Sequence, residues 1–248
     1  MSTMGLAVRA VVGAILTGTV LSACGGGSST PTAPPASTTL VGVVADSTES
    51  GVLTITIPTA SLSVVGPVGS DVHFSGAALS ATSPVSVSAT LAIQGGATFS
   101  LTGTYDTGTH TLSLSGGGYS FTGTYSNGVL SGTFTNPSGV TGGFTTQSGS
   151  TSSVVAYCGT FNGAGSGYWN VAVNSTNSMV TGVANETSSG TMIAITGTAS
   201  GSSLSGTFTG TQGGGGTWSA TVSGTGVSGT WHNTTSGNSG TITGAKCS

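Results

Sequence analysis

A five-residue unit, apolar-x-Gly-x-apolar, occurs eight times in this chain and restricts its fold more than any other feature. It reads Leu101-Thr-Gly-Thr-Tyr105, Phe121-Thr-Gly-Thr-Tyr125, Leu130-Ser-Gly-Thr-Phe134 and Val140-Thr-Gly-Gly-Phe144, then Val180-Thr-Gly-Val-Ala184, Ile195-Thr-Gly-Thr-Ala199, Leu204-Ser-Gly-Thr-Phe208 and Val227-Ser-Gly-Thr-Trp231. A period of two places both apolar residues and the glycine on one face and Ser or Thr on the other, which describes a half-buried strand with a hydroxyl-coated exterior. Glycine in mid-strand loses packing and costs entropy. Its repetition therefore predicts a tight bend, or the close approach of a large neighbouring side chain, on the concave face of a strongly curved sheet.

Short turn signals separate the units: Asp106-Thr-Gly, Gly116-Gly-Gly, Ser126-Asn-Gly, Asn136-Pro-Ser-Gly and Gly213-Gly-Gly-Gly. Several units begin 9 or 10 residues apart, the spacing of consecutive antiparallel strands joined by tight loops. The fold class read from this pattern is all-β: antiparallel meander strands forming small barrel-like or sandwich domains. A polar run, 145–153, lacks alternation and divides the body into a first β domain at 39–148 and a second at 154–247, with one continuous larger sheet as the alternative. Pro58, Pro67 and Pro84 mark the first domain's less regular stretch, where edge strands and a longer loop are expected.

Charge removes a whole class of partner. Only 3% of residues are charged while the mean hydropathy is +0.31, the reverse of a disordered chain. Beyond residue 23 a single Lys246 faces Asp46, Glu49, Asp71, Asp106 and Glu186, a net charge of −4. Nucleic-acid binding needs Lys and Arg to neutralise phosphates, and this chain has none to spare.

The N-terminus is a processing signal. Arg9 precedes a 12-residue apolar stretch, Ala10 to Leu21, too short for the roughly 20 residues of a membrane-spanning helix. Leu21-Ser22-Ala23-Cys24 at its end resembles the lipobox of bacterial lipoproteins. The resemblance implies a signal peptide over 1–23, cleavage before Cys24, and lipidation of its thiol. It also implies a membrane partner through the lipid, and Gly25 in the next position points to the outer membrane of a diderm envelope. Residues 24–38 then read as the lipidated cysteine and a Gly, Ser, Pro and Thr tether that has almost nothing to bury. With Cys24 committed to lipid outside the cytoplasm, Cys158 and Cys247 are left to form a disulfide. They fall in the first and last strands of the second domain, and alternation puts both thiols on the outer face.

Catalytic candidates are sparse. Asp71 and His73 share a strand face, the minimum of a metal or acid/base pair, without a third ligand nearby. His110 lies at a turn and His232 follows Trp231, and neither has a neighbouring carboxylate in sequence. No residue is assigned to catalysis, a metal or a cofactor. The aromatic residues lead further. Trp169 shares a face with Val171 and Val173, Trp218 with Ala220 and Val222, and Trp231 belongs to the inward set of its unit, so three indoles point into one small sheet. An eight-stranded barrel is only just wide enough for its own side chains, so the indoles are expected to fill the core, with a ligand pocket as the alternative.

Gly167-Tyr168-Trp169 resembles the G-x-W of the first strand in lipocalin-type barrels, and avidin-like barrels have similar short Gly-Thr-aromatic strands. That resemblance implies a small meander barrel in which a cation after the last strand caps the tryptophan, and Lys246 is the cation available. The function expected is a non-catalytic binding or adhesion role for a lipid-anchored envelope protein with an unidentified envelope or surface partner. A structural envelope component and a lipocalin-like small-ligand binder are the alternatives.

Overall fold

The structure, a computed structural model, describes residues 37–58 and 84–248, and strands account for all the regular structure there. The expected signal peptide, most of the expected tether, Cys24 and the Asp71 and His73 pair lie outside the described residues. The first eight strands are β1 (Ser37–Ala45), β2 (Ser50–Pro58), β3 (Val85–Ile93), β4 (Thr98–Asp106), β5 (Thr111–Gly116), β6 (Tyr119–Ser126), β7 (Val129–Thr135) and β8 (Thr141–Ser148). The second eight are β9 (Val154–Gly163), β10 (Gly167–Asn174), β11 (Met179–Glu186), β12 (Met192–Ser200), β13 (Ser203–Gly210), β14 (Gly215–Ser223), β15 (Gly226–Asn233) and β16 (Ser239–Lys246). Each set is an antiparallel meander closed into a barrel, β8 returning to β1 and β16 to β9.

Closure corrects one expectation. Pro67 lies outside the described residues; among these, the strands flanking the stretch are not edges, because β2 pairs with β1 and β3, and β3 with β2 and β4. Pro58 ends β2 and Pro84 stands just before β3, so neither deprives a ladder interior of a donor. Among the described strands, sealing the sheet on itself leaves no row of unpaired backbone groups for another chain to extend. Two-residue turns set the register: Gly117 and Gly118 join β5 to β6 at φ 60° and 85°, and Asn127 and Gly128 join β6 to β7 at φ 52° and 83°. Positive φ at both central positions is the hairpin geometry that matches strand twist.

The first barrel holds an aromatic and aliphatic core. Phe121 stacks on Phe134 with ring centroids 5.2 Å apart and meets Phe144 edge-on at 5.5 Å, among Leu53, Ile55, Leu91, Leu101 and Leu130. The repeated glycines are points of close approach. Gly206 and Gly197 face each other between β13 and β12. A Cβ on Gly206 would stand 1.9 Å from the Thr196 carbonyl oxygen, and one on Gly197 would stand 2.9 Å from the Trp218 ring. The expected approach of a large side chain therefore holds at Gly197, and at Gly206 it is the backbone of the neighbouring strand that approaches.

The described residues belong to one compact unit, and the two barrels pack side by side. Val41, Val43 and Ala45 on the outward face of β1 meet Val154, Ala156, Ala172 and Val183 of the second barrel. Polar side chains then clamp across this small apolar patch: Gln147 Nε2 donates to the Ala172 carbonyl at 2.9 Å, Asn170 Nδ2 to that of Val44 at 3.0 Å, and Asn174 Nδ2 to that of Ser148 at 3.0 Å. The second barrel's exterior is thus not hydroxyl-coated all round. Asn170, Asn174, Thr181 and Asn185 face outward on β10 and β11 yet are buried, because the first barrel covers them. Cys158 and Cys247 are joined in a disulfide at the meeting of β9 and β16, where Cys158 pairs in register with Ala245. The bridge lies on the outer face, but Cys158 is buried and Cys247 packs against the apolar patch between the barrels.

Candidate functional site

The site is built from the inward faces of β10, β14 and β15. Trp218 and Trp231 are direct partners between β14 and β15, and Trp218 meets Trp169 edge-on with centroids 5.9 Å apart. Trp231 is flanked edge-on by Phe161 at 6.2 Å and Phe208 at 6.3 Å. Such tilted pairs set the positive edge of one ring on the negative face of another. Trp169 is 3% exposed and Trp218 4%, so these two belong to the core, whereas Trp231 is half-buried. The expected choice between plug and pocket thus divides along the barrel axis: two indoles close the middle, and above them one end stays open.

That open end is a cavity of about 280 Å³, near the lower limit of ordinary ligand pockets, roughly 300–1,000 Å³. Phe161, Ile193, Ile195, Phe208 and Ile242 line it with the three indoles, and Gly165, Gly210, Gly213 and Gly214 leave the rim open. Four loops form that rim, those following β9, β11, β13 and β15. Backbone hydrogen bonds brace them: Thr187 N to Ser166 O at 3.0 Å, Thr211 N to Met192 O at 2.9 Å, and Thr234 N to Gly215 O at 2.9 Å. Asn233 Oδ1 accepts from the amides of Thr235 and Ser236, holding the last loop in a turn. The rim is therefore preformed.

Beside the indoles, the polar side chains of the lining are Glu186, Thr191, Gln212, Asn233 and Asn238. The Trp218 indole donates to Thr196 O and that of Trp231 to Asn162 O, each at 3.2 Å, while Trp169 Nε1 is buried without a partner. Among the described residues no cation caps Trp169. Lys246 is exposed and pairs in register with Tyr157, and Gly167-Tyr168-Trp169 stands on the second strand of its barrel, so the lipocalin arrangement is absent. Glu186 is the one charged residue of the lining. It extends the inward set Val180, Gly182 and Ala184 by one more step, and its Oε2 accepts from Ser189 Oγ at 2.5 Å. The sequence reading missed Glu186, although counting the alternation two residues past the glycine unit would have found it.

The two described histidines each have a local hydrogen-bonding neighbour. His110 Nδ1 lies 3.2 Å from the Tyr105 hydroxyl and His232 Nδ1 lies 3.0 Å from Ser239 Oγ. Among the described residues no group of three His, Cys, Asp or Glu side chains could hold a metal ion. At one end of the first barrel, buried Asp46 accepts from the Thr48 and Glu49 amides through Oδ1 and from Asn136 Nδ2 through Oδ2 at 3.0 Å. Beside it the Tyr119 hydroxyl donates to Glu49 Oε2 at 3.1 Å. Burial raises the Glu49 carboxyl above its usual range, and burial together with Glu49 pushes the Tyr119 phenol up to about 12.

No protein-family model and no curated protein matches the chain. Solved structures do resemble it. A surface lipoprotein aligns at 9% identity and a TM-score of 0.34, over 49% of this chain and 76% of that one. HpuA from Kingella denitrificans, solved in complex with human haemoglobin, aligns at 14% identity and a TM-score of 0.34, over 67% of this chain and 84% of its own. A mutant transferrin-binding protein B from Haemophilus parasuis aligns at 10% identity and 0.32, over 59% of this chain and 39% of that one.

Proposed function

We propose that this chain is a lipid-anchored, non-catalytic binding protein of the bacterial cell envelope whose second barrel receives a small ligand, or a small group of a larger one, at its open end. The observation that carries the reading is the cavity beside Trp231, an apolar recess walled by aromatic rings and framed by loops already braced in place. Preformed apolar concavities with few polar groups are the usual form of a small-ligand site, since little ordering entropy is spent on binding. Leu21-Ser22-Ala23-Cys24 and the uncharged tether after it support anchoring of the mature chain at the outer membrane. The exposed Ser and Thr rows, such as Thr196 beside Thr207 with hydroxyls 3.2 Å apart, offer a second surface for an envelope partner.

Tryptophan emission tests the pocket directly. Small apolar compounds are expected to shift it saturably, and Trp231→Ala to abolish the response while leaving circular dichroism unchanged. Emission that ignores every compound up to its solubility limit would refute the reading. For the anchor, Cys24→Ser is expected to move the protein out of the membrane fraction and to abolish labelling by a fatty-acid analogue. An unchanged membrane fraction would refute lipidation.

A further inference from the structure

Resting on the receptor reading above, we infer that the second-barrel cavity selects a small organic cation of the alkylammonium class, its apolar body among the rings and its charged end toward Glu186. Three observations converge on that chemistry. The wall is aromatic: Trp169, Trp218, Trp231, Phe161 and Phe208 all line the same recess, and aromatic faces attract cations electrostatically, most strongly where water is excluded. The lining carries one formal charge, the carboxylate of Glu186, and no Lys or Arg. Glu186 also stands where it can serve a ligand held by the indoles, because Trp169 pairs with Ala184, and Glu186 is the diagonal neighbour two residues along, about 7–8 Å away between backbones.

The same features exclude the opposite charge. A fatty acid, a phosphate ester or another anion would bring its charge to a carboxylate and to the negative faces of the rings, with no cationic side chain in the lining to offset the desolvation. A neutral apolar compound would gain the ring contacts alone. The Ser189 hydroxyl donates to Glu186 Oε2, and Oε1 lies against Gly165 of the rim, where a Cβ would stand 2.6 Å from it.

The test uses the chain from Gly25 to Ser248, which contains every described residue, and three probes of similar length: hexyltrimethylammonium, hexan-1-ol and hexanoate. Tryptophan emission is read against probe concentration at low salt. The ammonium compound is expected to bind about tenfold more tightly than the alcohol, between the sizes of an exposed and a desolvated cation–π contact, and hexanoate more weakly than either. Glu186→Gln should reduce the affinity for the ammonium several-fold and leave hexan-1-ol unchanged. Equal affinities for ammonium and alcohol in the unaltered chain would overturn the cation inference while the receptor reading stands. No response to any of the three would overturn both. Because the three-probe comparison needs no variant, it decides the matter even if Glu186→Gln folds poorly.

Discussion

Replacing Gly206 in β13 should damage the second barrel more than any change on the facing solvent side. A Cβ there would lie 1.9 Å from the Thr196 carbonyl oxygen and 2.5 Å from the Gly197 Cα, and both obstacles are backbone of the neighbouring strand. Contacts below 3.0 Å force a shift, so even Gly206→Ala must move β12 and β13 apart by the 1.1 Å separating 1.9 from 3.0 Å. That displacement strains the ladder and lifts the Gly197 seat from under the Trp218 ring. Overpacking of this kind costs about 1–3 kcal/mol, and unyielding backbone puts Ala near the top of the range and Val beyond it. For a protein of this size 3 kcal/mol corresponds to a drop in Tm of roughly 6–12 °C. The control is Thr207→Val, one residue away. Thr207 is exposed and loses only the hydroxyl contact to Thr196 at 3.2 Å, so its effect should stay within about 0.5 kcal/mol. Thermal unfolding followed by circular dichroism compares the three variants. Equal Tm values for Gly206→Val and Thr207→Val, or an unchanged Tm for Gly206→Ala, would refute the account of the glycine repeat.

Reducing the Cys158 and Cys247 bridge, which closes a separation of 89 residues, should cost up to about 4–5 kcal/mol in the chain-entropy model, measured by denaturant unfolding with and without reductant. Non-reducing peptide mapping should recover the two cysteines joined. The Asn185 amide is buried at the barrel contact with neither atom partnered, so Asn185→Leu should be neutral or stabilising. Asn170→Leu should instead destabilise by about 1–3 kcal/mol, since it strips a donor from the Val44 carbonyl, and chemical denaturation ranks the two. The Glu49 and Tyr119 pair predicts a pH profile. Both groups hold protons more tightly when folded, so their contribution is complete below the unfolded values. It is lost as pH rises from 4.5 through the raised Glu49 value, and again between 10 and about 12 as the phenol ionises. Glu49→Gln should remove the acid-side slope in a plot of Tm against pH, and a slope that persists would assign it elsewhere.

The parts of this molecule that repeat locally are the parts legible in its residues. Leu204, Gly206 and Phe208 alternate with Ser and Thr over neighbouring positions, and that period settles strand, face and turn without reference to anything distant. The inward direction of Trp169, Trp218 and Trp231 follows from the same counting. Pairing of Cys158 with Cys247 followed from compartment and from the adjacency of first and last strands that a closed meander would bring.

Three things depended on contacts far apart in sequence. Alternation states which side of β10 faces out, but only the packing of β1 and β8 against it made that side a buried interface holding Asn170 and Asn174. The prolines at 58 and 84 suggested edges, and closure of the sheet made them strand ends instead. The cavity was decided last of all. Whether three indoles fill a barrel depends on the tilt of each ring and on how far the rims stand apart, and those are set jointly by Phe161, Phe208, the glycine seats and four loops. The sequence by itself determined a curved, antiparallel, nearly uncharged β protein with its indoles inside, because period and composition are local properties of the chain. Tertiary structure alone decided that one outer face is buried and one barrel end is open, because burial and empty volume are properties of how distant surfaces meet.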